Sequence, residues 1–146
     1  MVIKLEQILT QQEVEILIKY AQMNKTVRQL VAFIKSFSNT LTCASDNREV
    51  LVNTSDIFYV ESVDKKSFVY CEKEVYRTEI RLYQLMEELS DCGFVQISKS
   101  CILNINMLVS IRPLLNSRME AVLKNGETVH VNRKYISAIR LKLQER

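Results

Sequence analysis

Two short segments of this chain carry side chains suited to holding anions and reading hydrogen-bond patterns. One is Phe94-Val95-Gln96-Ile97-Ser98-Lys99-Ser100-Cys101-Ile102-Leu103-Asn104, and the other is Val129-His130-Val131-Asn132-Arg133-Lys134. Each ends an apolar run with small polar groups and a cation, where the chain must leave its strand. Lysines and serines at such points hold phosphates, and a guanidinium such as Arg133 matches guanine O6 and N7 as a fork. A third segment, Lys65-Lys66-Ser67, repeats the combination at a turn. Each alone is an ordinary polar strand end, and the three together favour a nucleic-acid surface.

Other chemistries lack their parts. The lone histidine, His130, alternates with Val129 and Val131 and so points away from the core. Nucleophilic catalysis needs a Cys or Ser beside a positioned base, and nothing supplies one. Gly93 and Gly126 are the only glycines, too few for a phosphate-cradling loop or a dinucleotide fingerprint. Cys43, Cys71, Cys92 and Cys101 show no CxxC spacing, so buried reduced thiols are expected rather than zinc or disulfides. Neither a cofactor, a metal nor a small-molecule substrate is expected.

The charge distribution agrees with an anionic partner. Residues 1–97 hold 11 Lys/Arg and 14 Asp/Glu, a net of −3, whereas residues 98–146 hold 9 Lys/Arg and 3 Asp/Glu, a net of +6. The 146 residues fit one domain with an extension, and 47% hydrophobic content supports a real core. The start of the chain lacks the plan of a signal peptide, and no uncharged stretch approaches the roughly 20 residues that span a bilayer. A cytoplasmic location is expected.

The elements that must position these segments follow from periodicity. Residues 2–9 and 13–20 alternate apolar with polar side chains, predicting two strands. Asn24 then offers a helix cap, and Val27, Leu30, Val31 and Ile34 form a helical stripe that Phe33 and Phe37 widen. This predicts a β-β-α extension over residues 1–44. A strand-rich body follows over residues 45–146. Strands are expected near 40–44 and 49–53, flanking a turn at 45–48, and near 56–61, 67–71, 74–79, 107–115, 119–123 and 127–131. A short helix is expected over 82–89 and a last one from about Lys134. Pro113 predicts an edge or a bulge. Asn125-Gly126 predicts a hairpin, because both residues tolerate positive φ. No pair of helices joined by a short turn suggests a helix-turn-helix, so any DNA reading falls to loops on a β scaffold.

From about Leu51 to Leu143 the chain resembles a LytTR DNA-binding domain. The resemblance rests on Asp56-Ile57-Phe58-Tyr59-Val60-Glu61-Ser62, on Leu82 to Leu89, on Gly93 to Ser100 running into Ile102-Leu103-Asn104, and on the hairpin leading to Val131-Asn132-Arg133-Lys134-Tyr135. It implies a mainly β fold of small stacked sheets with short helices, whose loops enter successive major grooves of duplex DNA. It assigns base reading to Lys66 or Ser67, to Ser98 and Lys99, and to Arg133, with Lys65, Ser100, Asn132 and Lys134 beside them. Gln96 stands where the family usually has arginine, and Asn132 where it usually has serine, which bears on base preference. The roughly 45 residues ahead of the domain leave no room for a receiver, so the chain looks like the stand-alone type. The resemblance therefore implies a transcriptional regulator that binds repeated half-sites as a homodimer, with a small membrane protein as a restraining partner. Two other readings stay open from the residues alone. One is an interaction module docking through the helix at 27–37. The other is an RNA-binding β domain using Tyr59, Tyr70 and Tyr76.

Overall fold

The computed structural model describes residues 1–145, with the backbone alone at Ser38 and Glu145. Helix α1 (Lys25–Ser38) starts where its cap predicts: the Asn24 side chain accepts the Val27 N–H at 3.0 Å. Among the described residues ten strands and two further α-helices follow. They are β1 (Thr40–Ser45), β2 (Arg48–Asn53), β3 (Tyr59–Val63), β4 (Lys66–Tyr70), β5 (Val75–Thr78), α2 (Leu82–Leu89), β6 (Phe94–Ser98), β7 (Cys101–Asn104), β8 (Leu108–Pro113), β9 (Met119–Leu123), β10 (Thr128–Val131) and α3 (Ile136–Glu145). Every strand pairing among the described residues is antiparallel, giving a seven-stranded sheet ordered β2-β1-β5-β4-β3-β7-β6 and a three-stranded sheet ordered β10-β9-β8.

Alternation sorts the side chains of the large sheet into two cores. On one face Val60, Val69, Phe94 and Ile102 pack with Leu85 and Leu89 of α2. On the other, Val95, Ile97, Leu103 and Ile105 pack with Met119, Ala121 and Leu123 of the small sheet and Ile139 of α3. The β6–β7 hairpin is thus covered on both faces, which explains why large apolar side chains point to both sides of it. All four residues of β7 are buried. The mainly β architecture of stacked antiparallel sheets with short helices matches the fold class expected from the sequence.

Several details differ from expectation. Residues 1–24 form no strand; apart from a turn closed by Gln11 N–H donating to Ile8 O at 3.0 Å, they lack regular structure. The alternation is real, but this segment meets no sheet edge within its own chain, and an isolated two-stranded ribbon is marginal in water. Phe33 and Phe37 lie outside the buried stripe of α1, 54% and 64% exposed. A division at 44/45 would fall inside β1, whose residues pair with β2 from Thr40 onward, and α1 is tied to the body by Thr54 Oγ1 donating to Ser36 O at 2.6 Å. Arg146, the last residue of the expected 45–146 domain, lies outside the described residues. The Asn125-Gly126 hairpin forms with only Gly126 at positive φ (86°). The loop is three residues long, and the Asn125 side chain instead accepts the Glu127 N–H at 3.0 Å. Pro113 ends the edge strand β8, where its missing N–H costs no ladder bond.

Candidate nucleic-acid interface

The three polar segments are far apart in sequence, and the ladder brings them to one end of the large sheet. Strand β3 runs into a two-residue turn, Asp64-Lys65, and returns as β4 from the Val63–Lys66 pair. Both turn residues have positive φ, 50° and 67°. That matches the right-handed twist of the hairpin, but αL is an uncommon conformation for lysine. The adjacent β3–β7 ladder continues past Glu61–Cys101 through Ser62 N–H donating to Ser100 O at 2.7 Å. The Lys99-Ser100 turn therefore lies beside the Asp64-Lys65 tip. The third segment is fastened by Asn132 N–H donating to Ile97 O at 2.9 Å, which sets the exit of β10 against the end of β6.

Side-chain exposure then divides the predicted residues. Lys65, Lys66, Lys99, Asn132, Arg133 and Lys134 are exposed, and Ser98 and Ser100 are half-buried. The salt bridge found among the described residues joins Arg112 and Glu120, so none of these five cations is neutralised by a carboxylate at contact distance. The Lys134 ammonium lies 5.7 Å from the centre of the Tyr135 ring, a cation–π contact that steadies it without removing its charge. Ser98 Oγ accepts the Ser100 N–H at 3.3 Å and shapes the turn that presents Lys99.

Two residues that looked available in the sequence are not on the surface. Ser67 is 1% exposed and its hydroxyl donates to Ile80 O at 2.7 Å, anchoring the base of the β3–β4 tip to the link before α2. A small hydroxyl there satisfies a carbonyl that the sheet leaves unpaired. Asn104 is fully buried; its amide donates to Ile57 O at 2.8 Å and its oxygen accepts the Asn106 N–H at 3.0 Å. It holds the entry to β3 against the exit of β7 and so fixes the frame on which both turns sit. The Asx-like turn Asn104-Ile105-Asn106 was the available sign of this role in the sequence.

The aromatic and thiol groups offer no rival site. Tyr59 and Tyr70 stack on each other across β3 and β4, with ring centres 4.4 Å apart, instead of presenting open faces to bases. Burial raises the Tyr59 hydroxyl well above its ordinary range, with Glu127's charge adding to it. Burial pushes the Cys101 thiol up to about 12, helped by the charge of Glu61, and burial alone carries Cys43 up to about 11. Such thiols stay protonated and poorly nucleophilic near neutral pH. Among the described residues no cluster of three or more His, Cys, Asp or Glu could hold a metal ion, and no helix is long and apolar enough to cross a membrane.

This geometry has known counterparts. Residues 47–144 match the family model of the LytTr DNA-binding domain. The chain is 37% identical over 91 residues to the sensory transduction protein LytT of Bacillus anthracis, covering 62% of this chain and 37% of that protein. It is 25% identical over 124 residues to an uncharacterized HTH-type transcriptional regulator of Staphylococcus aureus, covering 84% of each. The solved LytTr DNA-binding domain of a Bacillus cereus putative methyl-accepting/DNA response regulator superposes with a TM-score of 0.68 at 27% identity, covering 73% of this chain and 97% of that one. The chain spans about a third to a half of the length of the LytT proteins it matches. With two-thirds of its residues under that family model and the fold in agreement, the chain belongs to the LytTR DNA-binding domain family.

Proposed function

We propose that this protein is a sequence-specific transcriptional regulator that binds duplex DNA through the three loops at one end of its large sheet. The observation that carries the reading is the meeting there of Lys65-Lys66, Lys99 and Arg133-Lys134, exposed and, among the described residues, free of ion pairs. Arg133 reads a guanine edge, Lys99 and Asn132 contact neighbouring bases or phosphates, and the remaining lysines and serines hold the backbone. Ser67 acts from beneath, by holding the tip on which Lys65 and Lys66 stand. The protein works in the cytoplasm as a homodimer on a promoter with repeated half-sites, without catalysis or cofactor. The extension serves assembly, and a small membrane protein restrains the regulator.

Fluorescence anisotropy tests the reading. The DNA upstream of the protein's own coding sequence should bind more tightly than random duplex, and affinity should fall with salt by a logarithmic slope of about −0.9 per phosphate contacted. Equal affinity for both duplexes would sink sequence-specific regulation.

A further inference from the structure

A fourth connection ends where the three basic loops meet. Strand β8 leaves at Pro113 and β9 enters at Met119, which pairs with Val131, the last residue of β10. The β8–β9 loop therefore stands at the end of the small sheet from which Asn132 and Arg133 depart. We propose that this loop is a fourth DNA contact, in which the Arg118 guanidinium holds a backbone phosphate beside the base edge read by Arg133. This rests on the DNA-binding function proposed above and extends its surface to a residue that belongs to none of the three basic motifs.

The ladder fixes where Arg118 points. Its backbone is extended, at φ −90° and ψ 170°, and so is that of Asn132, at φ −71° and ψ 149°. One step past the Met119–Val131 pair, the antiparallel register sets Arg118 directly across from Asn132. Met119 and Val131 are buried, so alternation turns Arg118 and Asn132 outward together, and both are exposed. Their Cβ atoms lie about 5 Å apart in such a pair. The loop is closed, with Leu114 N–H donating to Arg118 O at 2.8 Å. Asn116 and Ser117 complete the reversal at φ 69° and 60°.

Charge decides what the guanidinium can hold. Glu120, two residues on and on the same outward face, is the carboxylate best placed to neutralise it, and it pairs with Arg112 at 3.1 Å instead. Among the described residues Arg118 has no carboxylate at contact distance. Residues 114–119 and 128–135 together hold Arg118, Arg133 and Lys134 and no Asp or Glu, so nothing in either segment repels an anion. Arg118 stands to the side of Arg133, next to Asn132, a place that suits the backbone flanking the read base.

Salt titrations of duplex binding, followed by fluorescence anisotropy on the full chain, test this. Arg118→Ala should make the slope of log affinity against log salt shallower by about 0.9, which over the decade from 1 M to 0.1 M amounts to about an eightfold loss. The loss should be equal on promoter and random duplex, unlike that of Arg133→Ala. Arg118→Lys should keep the slope, because a phosphate needs the charge and not the fork. Lys124→Ala removes the same charge at the other end of β9, about 20 Å away along the strand, and should leave the slope unchanged. Both positions are exposed, so each variant should keep the parent's unfolding midpoint. An unchanged slope in Arg118→Ala, or an equal drop in Lys124→Ala, overturns the fourth contact and leaves the three-loop reading standing. A loss confined to the promoter overturns the phosphate assignment. A parent that binds promoter and random duplex alike sinks sequence-specific regulation, while the slope change in Arg118→Ala still decides the fourth contact. A parent that binds neither duplex overturns both.

Discussion

Residues 94–105 and residues 1–20 are both rich in large aliphatic side chains, and they meet opposite fates. The first is a hairpin buried on both faces, with Ile102 and Leu103 wholly inaccessible. The second has a turn and an alternating pattern yet exposes nearly every apolar side chain. Periodicity alone does not separate them. What differs is the supply of neighbours: β6 and β7 find β3 on one edge, α2 on one face and the small sheet on the other. A strand pattern is a request for partners, and the partners decide whether it becomes a strand.

That contrast can be broken by substitution. Leu103→Ala, inside the doubly covered hairpin, should cost about 2–5 kcal/mol in urea unfolding. Ile16→Ala should cost under about 0.5 kcal/mol at concentrations where the chain is monomeric. Comparable losses would mean that residues 1–20 are part of the folded unit after all. Asn104→Ala should cost about 1–3 kcal/mol, because it strands the Ile57 carbonyl and the Asn106 amide inside the protein. Gly93→Ala should cost at least about 1 kcal/mol: Gly93 sits at φ 91°, and a Cβ there would meet the Asn106 side-chain nitrogen at 2.9 Å.

A pH titration sharpens the same comparison at smaller amplitude. The Cys43, Cys71 and Cys101 thiols are raised from 9.0 to about 11, 11 and 12, mainly by burial. Unfolding lets them ionise at their ordinary value, so the folded state is fully favoured below pH 9 and loses stability as pH rises from there towards 12. The unfolding midpoint in denaturant should be flat from pH 7 to about 8.5 and fall above it. Replacing Cys101 with Ala should reduce that alkaline slope, even though it also removes some packing.

Much of this was legible in the residues. The Asn24 cap, the helix over 82–89, the Asn125-Gly126 hairpin and the edge position of Pro113 all rest on local rules, and local rules held. The exposed cations of the site were legible too, because charge keeps Lys65, Lys99 and Arg133 in water wherever the chain goes. Ser67 and Asn104 were not. Each is a small polar residue in a motif that reads as surface, and each is buried by a carbonyl some distance off in sequence, at Ile80 and Ile57. Nor could the residues alone say that three loops share one end. That depends on β7 pairing with β3 and on the bond from Asn132 to Ile97, both of them long-range.

The loop assignments divide base reading from phosphate holding. Lys65→Ala should weaken promoter and random duplex alike and make the salt slope shallower by about one. The most direct measurement is the affinity of Arg133→Ala for the protein's own promoter and for random duplex, at one salt concentration. The variant should lose about 1–3 kcal/mol on the promoter and far less on random DNA, so that the two affinities converge. An equal loss on both duplexes, or no loss on either, would contradict the claim that this corner of the sheet reads sequence.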